Sequence, residues 1–209
     1  MGTSKRRLND KIKTLLRNQP LTDLSKNAPE VTREILTNRV LERNLNETVL
    51  LRSFDVVSNA FITAKASGYN GRTLKELKED EISREEFFES IIGEIEKESI
   101  IDSKILKKAF KLVMVQFLDG EFDVAIFAQL LFYKVIFLIL EQELYDTLRD
   151  IYEELSRKEI EIILTNATDR IFTATVNNEI QRFIKKEIPL TSVLQKIREQ
   201  TSQVTFGEF

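Results

Sequence analysis

The chain has 209 residues, enough for one domain with a sizeable core, and its 42% hydrophobic and 31% charged residues are typical of a globular, helix-rich protein. It contains no cysteine and no histidine, which excludes disulfides, thiolate or imidazole metal sites, and Ser-His or Cys-His catalytic dyads. Only hydroxyl, lysine, carboxylate and terminal-amine chemistry remain, and no residue stands out as catalytic. We therefore expect a protein that is not an enzyme and that has neither a metal nor another cofactor.

The net charge of −3 conceals an uneven distribution along the chain. Residues 1–20 carry six basic side chains and one acidic side chain, whereas residues 76–100 carry ten acidic and three basic ones. A basic end and an acidic body can attract each other, or each can recruit a different partner. The simpler interpretation, a solvated arm and a solvated helix face, stays open beside these two.

Residues 1–28 have the pattern of a flexible basic tail. They contain one short apolar cluster, Ile12, Leu15 and Leu16. Pro20 interrupts the segment, and Pro29 follows directly after it. We expect no core residue in this tail. The apolar cluster could form a transient helical turn against a partner.

Helical periodicity begins at Pro29, which suits a first helical turn because its missing N–H is harmless there. Val31 to Leu41 form one apolar stripe, and a second helix is predicted from Glu47 to Ala66, ended by Gly68. Two further helices are predicted, one beginning at a capping box at Ser83 and one capped by Asp102.

The last third of the chain is also predicted to be helical. Ser156 begins a capping box that opens a long segment ending at Pro189, and Thr191 could cap a short final helix. The β-branched content of this segment favours strands as the alternative. We predict an all-α fold with a single helical domain over residues 29–200 and a loose C-terminal end over 201–209.

The most apolar segment runs from Val124 to Leu140 and is interrupted by Gln129 and Lys134. A membrane span needs about 20 apolar residues with almost no charge. Asp123, Lys134 and Glu141 fall within about 40° of one another on a helix, so one narrow polar stripe lies on an otherwise apolar rod. We predict a central core helix with one edge in water, and the alternatives are a membrane span or a helical partner.

Three side chains of this segment, Phe127, Leu131 and Leu138, are expected in the core of the chain itself. No apolar segment follows the basic start as in a signal peptide, which favours a cytoplasmic location. Membrane association is not expected.

Neither the acidic nor the basic clusters have the pattern of a binding site. Carboxylate pairs such as Glu85 and Glu89 lie opposite the apolar stripe of Phe87 to Ile95, as on a solvated helix face. The basic arm has no interleaved aromatic residues and the body is acidic, so direct nucleic-acid binding is not expected.

The chain begins "MGTSKRR", and Gly2 contributes nothing to a core. A residue as small as Gly2 permits removal of Met1, which leaves an unhindered amine. The start does not fit a myristoylation signal, because Arg6 occupies the position where that signal has Ser or Thr.

The start Met1-Gly2-Thr3-Ser4, followed by a basic arm and a helical body, resembles the QatB proteins of bacterial Qat antiphage operons. The body has the same order of segments: "FDVVSNAFITAKASG", the acidic "EEFFESIIGEIEKES", the apolar "AIFAQLLFYKVIFLILEQEL" and a long C-terminal helix. Where members of the family often continue with a Gly/Pro-rich stretch, this chain has "KRRLNDKIK".

The resemblance implies partners, namely an ATPase, a QueC-like enzyme and a TatD-like nuclease of the same operon. QueC enzymes activate a 7-deazaguanine carboxylate with ATP and add ammonia, and a relative could use an amine instead. Gly2 is then the natural acceptor, since an α-amine of pKa ~7.7–8.0 is about one-tenth unprotonated near neutral pH.

In this interpretation, the partner recognises Thr3, Ser4, Lys5, Arg6 and Arg7, of which the last three act through charge. The alternative is a helical adaptor or oligomer subunit that works through its folded body, with an inert tail. The number of copies in an assembly is left open.

Overall fold

The computed structural model describes residues 2–17 and 20–207, with the backbone alone for residues 2–5, 21 and 22. Within these ranges the chain forms α-helices and short 3-10 helices and no β-strand. The predicted all-α fold with one long apolar helix is confirmed.

The helices follow one another with short connections. The α-helices are α1 Gly2–Leu16, α2 Ala28–Ile35, α3 Asn38–Asn44, α4 Glu47–Ser67, α5 Leu74–Glu79, α6 Glu81–Glu96, α7 Lys104–Met114, α8 Val124–Ile151, α9 Arg157–Ile171, α10 Ala174–Ile184 and α11 Leu190–Gln200. The 3-10 helices are Leu21–Asn27, Val115–Phe117 and Thr201–Gln203.

Helix α8 is the centre of the fold. It begins after Asp123, whose carboxylate accepts hydrogen bonds from the N–H groups of Ala125 and Ile126 at 2.8 and 2.9 Å. Helices α1, α2, α4, α7, α9 and α10 all pack against it. The predicted burial of its apolar side is confirmed, since its buried residues include Phe127, Leu131 and Leu138.

Aromatic rings hold the first half of α8 to its neighbours. The ring centroid of Phe127 lies 6.5 Å from that of Phe54 on α4 and 6.3 Å from that of Phe110 on α7. The rings of Phe117 and Phe122, from the connection between α7 and α8, lie 5.8 and 5.4 Å from it. Each such pair contributes about 0.5–1.5 kcal/mol beyond its buried area.

Two predicted helix ends are confirmed. The Ser156 N–H and hydroxyl donate to the Glu159 carboxylate at 2.8 and 2.6 Å, and Glu159 N–H donates back to the hydroxyl, so the capping box is complete. These bonds from Ser156 lower the pKa of Glu159 from its ordinary value. Gly68 ends α4 with φ +74°, and a Cβ there would lie 2.7 Å from the carbonyl oxygen of Arg72.

Two other predicted caps are wrong by one to three residues. Helix α6 begins earlier than expected, because Asp80 accepts hydrogen bonds from the N–H groups of Ile82 and Ser83, which places Ser83 inside the first turn. Helix α7 is capped by Ser103, whose hydroxyl accepts from Leu106 N–H, and not by Asp102. In both cases a neighbouring oxygen satisfies the open N–H groups of the first turn.

Two predicted helices are each split in the structure. The stripe after Pro29 is divided at Leu36, and Thr37 caps α3. The long segment after Ser156 is divided at Phe172 and Thr173, which lets α10 turn to pack against both α8 and α11.

The last two helix boundaries also differ from those predicted. Helix α10 ends at Ile184, before Pro189, and Lys186 adopts φ +60°. Helix α11 follows Pro189, and the carboxylate of Glu47 accepts the Leu190 N–H at 2.8 Å, so Thr191 is not its cap.

The expectation that residues 1–28 contribute no core residue is wrong. Ile12, Leu16, Leu24 and Ala28 have no exposed surface. The physical reason is that the short apolar cluster continues a helical spacing from Leu8, and α2 and α8 of the same chain supply the apolar surface that it covers.

The expectation of a loose C-terminal end is wrong for residues 201–207. Val204 and Phe206 are buried, and Ser25 donates a hydrogen bond to the carbonyl of Gly207 at 2.5 Å. Residues 208 and 209 of the predicted end lie outside the described residues. Two apolar residues in a polar segment do not form a periodic pattern, so the sequence alone did not indicate this packing.

The burial of α8 predicts the cost of truncating it. Leu131→Ala should lower the free energy of unfolding by about 2–5 kcal/mol, because it leaves a cavity in a fully packed site. Urea denaturation followed by circular dichroism measures this loss. Ile100→Ala, at a side chain that is 74% exposed, serves as the control and should change stability by no more than about 0.5 kcal/mol. A loss of below about 1 kcal/mol for Leu131→Ala would show that α8 is not held in the core.

Candidate functional site

The residues predicted for partner recognition lie in the first two turns of α1. The backbone of Gly2 begins the helix, whereas Met1 lies outside the described residues. The side chains of Thr3, Ser4 and Lys5 also lie outside what the structure describes, and those of Arg6 and Arg7 are exposed.

The C-terminal half of α1 is attached to the body. Ile12 and Leu16 are fully buried, and Leu8 and Leu15 pack at the edge of the same core. This apolar side of α1 lies against α2 and α8. The helix therefore has one end fixed by packing and one end that carries the predicted acceptor.

Side chains from distant elements hold the last carbonyl groups of α1. The Tyr152 hydroxyl, from the end of α8, donates to the Leu16 carbonyl at 3.1 Å, and Asn27 donates to the Leu15 carbonyl at 2.6 Å. The last turn of any helix leaves such carbonyls without partners in the helix itself. The first bond fixes the end of α1 relative to α8, and the second fixes it relative to the start of α2.

The protonation of Tyr152 favours this contact. Burial of the side chain, and to a smaller degree the nearby charge of Glu154, raises the pKa of Tyr152 above its ordinary value. The hydroxyl therefore stays protonated near neutral pH and remains a hydrogen-bond donor to Leu16.

Two of the basic residues of α1 are paired with acids of the body. Lys11 Nζ lies 2.7 Å from a carboxylate oxygen of Glu34 on α2, and Lys13 Nζ lies 3.3 Å from one of Asp150 on α8. Exposed pairs of this kind contribute about 0–1 kcal/mol each. Arg6 and Arg7 take part in no ion pair with any residue that the structure describes.

The acidic stretch 76–100 is not the partner of α1 in these ion pairs. Lys111 on α7 bridges Glu85 and Glu89 at 2.6 Å each, and its pKa is raised mainly by those two hydrogen bonds. Arg52 on α4 lies 3.1 Å from Glu98. Much of this acidic surface is therefore neutralised by α4 and α7, which sequence spacing alone did not indicate.

The acidic side chains do not gather into a metal-binding group. Among residues 2–17 and 20–207, no cluster of three or more Asp or Glu side chains is arranged to hold a metal ion. Tyr133 donates to Asp169 at 2.8 Å, and burial, together with this bond, raises the pKa of Tyr133. Its hydroxyl is therefore a neutral donor near pH 7 and not a phenolate base.

One surface that sequence reasoning missed is an open groove of about 510 Å³ between α4 and α6. Val56 and Ala60 of α4, Phe87 and Ile91 of α6, and Arg52 line it. The only signal in the sequence is a row of small residues on α4, which is more common in core packing than in binding sites.

No protein-family model, no curated protein and no solved structure matches this chain. The site at residues 2–7 therefore remains a hypothesis from the sequence, and the packing of α1 shows only where its helix is attached.

The attachment of α1 predicts its resistance to proteolysis. The double variant Ile12→Ala/Leu16→Ala should release α1 and raise the rate of trypsin cleavage after Lys11, Lys13 or Arg17 by at least about tenfold, since its packing supplies most of its stability. Mass spectrometry of timed digests measures the rate. Thr14→Ala, on the exposed side of the same helix, is the matched control and should be cleaved like the wild type. Equally fast cleavage of wild type and double variant would contradict the attachment.

Proposed function

We propose that this chain is a non-enzymatic component of a bacterial antiphage defence system of the Qat type. After removal of Met1, the Gly2 amine accepts a 7-deazaguanine acyl group from a QueC-like partner enzyme. The proposal is carried by one observation: the Gly-Thr-Ser start lies at one end of a basic helix whose other end is held in the body.

The reaction needs only an amine from this chain. The partner joins the carboxylate of the deazaguanine to ATP, which releases pyrophosphate and gives an acyl-adenylate. The Gly2 amine attacks the acyl carbon, an amide bond forms, AMP leaves and the amine loses a proton. Because glycine has no side chain, it offers the least crowded approach to that carbon.

The first turn of α1 can deliver Gly2 without releasing the helix. The N–H groups of a first turn have no acceptors within the helix, and glycine disfavours helical structure, so opening this turn costs little. Four opened residues extend up to about 14 Å, while Ile12 and Leu16 remain buried. The acceptor can therefore enter the pocket of another protein while the body stays outside.

The residues after Gly2 then have separate roles. Thr3 and Ser4 form hydrogen bonds in the groove of the partner, each contributing about 0.5–1.5 kcal/mol. Lys5, Arg6 and Arg7 interact with an acidic rim or with the phosphate of the adenylate, an attraction that salt weakens. Arg6 and Arg7 are exposed and suit this role.

The proposal includes the remaining partners that the resemblance implies, an ATPase and a TatD-like nuclease of the same operon, in the cytoplasm. It does not include direct nucleic-acid binding or membrane association by this chain.

The alternative is a helical adaptor or oligomer subunit that works through its folded body. It is favoured by the partly exposed apolar residues along α8, among them Ile126, which is 52% exposed. In this case α1 serves only to complete the core.

The acceptor role predicts the mass of the chain after co-expression with the QueC-like enzyme. Intact-mass spectrometry should find the wild type without Met1 and with one added deazaguanine acyl group. Gly2→Leu should keep Met1 and gain no group, because a large second residue blocks removal of the initiator. Gly2→Ala should lose Met1 but be modified less, since its methyl group crowds the amine.

Gly120→Ala is the matched control, because a Cβ at Gly120 would meet no described heavy atom within 4 Å. It should be modified like the wild type. A phage challenge with the same variants tests whether protection follows modification. An unmodified wild type together with full protection by Gly2→Leu would contradict the proposal and favour the adaptor.

A further inference from the structure

One side of α8 faces outward and bears a continuous stripe, here called the α8 face. Its members recur at helical spacing, so they lie on one side of the rod: Ile126, Leu130, Lys134, Phe137 and Glu141. Ile126 is 52% exposed and the other four are partly exposed. The face is therefore mainly apolar and contains one cation and one anion.

Exposed aliphatic residues of both neighbouring helices extend the α8 face. On α7, Leu112 is 39% exposed and lies one turn after Lys108, whose Nζ is 3.7 Å from Glu141. On α9, Ile162 is 45% exposed and lies two turns before Asp169, which binds Tyr133 at the other edge of α8. Exposed aliphatic residues therefore occur on α8 and on both of its neighbours α7 and α9.

The two charges of the α8 face are separated by seven residues, or about 10.5 Å along the helix. The Lys134 ammonium lies 4.6 Å from the ring centroid of Phe137. It has no carboxylate within 4 Å among the residues that the structure describes. Among the side chains that the structure describes, the ion-pair partner of Glu141 is Lys108, at 3.7 Å.

We propose that the α8 face binds a second copy of this chain, with the two α8 helices packed antiparallel about a two-fold axis. In a two-fold interface each residue pair occurs twice. If the axis passes beside Phe137, midway between Lys134 and Glu141, each Lys134 meets the Glu141 of the other copy. The two partly exposed Phe137 rings then meet at the centre of the interface.

Charge complementarity favours this occupant over the others. In a parallel pairing of the helices, Lys134 meets Lys134 and Glu141 meets Glu141, which is unfavourable. A lipid phase would leave both charges in hydrocarbon, where an isolated one costs about 2.5–3.5 kcal/mol or more. Of these three arrangements, only the antiparallel second copy places the two Phe137 rings together and pairs both charges. The proposal is independent of the role of Gly2.

The experiment reverses the two charges of the α8 face, one in each of two variants. Sedimentation velocity of the full chain, diluted from about 100 to 1 µM, should show a wild-type dimer at high concentration. Lys134→Glu and Glu141→Lys should each raise the dissociation constant at least about tenfold, because each variant brings like charges together twice.

An equimolar mixture of the two variants should associate again as a mixed dimer. In it, the two glutamates of the Lys134→Glu chain face the two lysines of the Glu141→Lys chain. A change that merely perturbs the fold gives no such rescue. Lys75→Glu, at an exposed residue of α5, which packs against α6, is the control for net charge and should dimerise like the wild type.

Three results would overturn the proposal. They are a wild type that stays monomeric at about 100 µM, a mixture of the two charge variants that stays monomeric, and recovery of the wild type only with membranes. Circular dichroism of each variant confirms that it is folded before the comparison is made.

Discussion

The burial of one long apolar helix determines the rest of this structure. Six helices pack around α8, and its buried side carries Phe127, Leu131 and Leu138 among many other apolar residues. Full burial of such a side chain contributes about 1.5–3 kcal/mol, so the neighbours gain most of their stability by covering α8 and not from their own helical propensity. Helix α1 is the clearest case, because its sequence is polar and basic except for the residues that it places on α2 and α8.

The parts of the fold that are encoded locally could be predicted from the sequence. The central helix, the Ser156 capping box and the end of α4 at Gly68 each depend on residues within a few positions of one another. The packing of α1 depends on contacts with residues far away in the sequence. An example is the hydrogen bond from Tyr152 to Leu16, two residues that are 136 positions apart. A single short apolar cluster does not indicate which distant residues it packs against. For this reason the sequence of residues 1–28 had the pattern of a flexible tail.

The candidate site was likewise predictable only in part. The family resemblance implied Gly2 as an acceptor and the sequence showed a basic segment behind it, but neither indicated the helix that carries them or the place where that helix is fixed. Because the other end of α1 is fixed, the proposed role of Gly2 would require only the first turn of the helix to open. Helix α8 also connects the two proposals, because it holds α1 through its buried side and presents Lys134 and Phe137 on its exposed face. A two-fold dimer would carry two such α1 helices.

Hydrogen–deuterium exchange of the isolated chain tests most directly whether α1 belongs to the body built around α8. The amides of residues 12–16 should exchange at least about 100-fold more slowly than those of an unstructured peptide, because opening them exposes Ile12 and Leu16. The amides of the first turn should exchange much faster than these. Exchange of the whole segment from residue 2 to 17 at the rate of an unstructured peptide would contradict this structure of α1 and the role assigned to its fixed end.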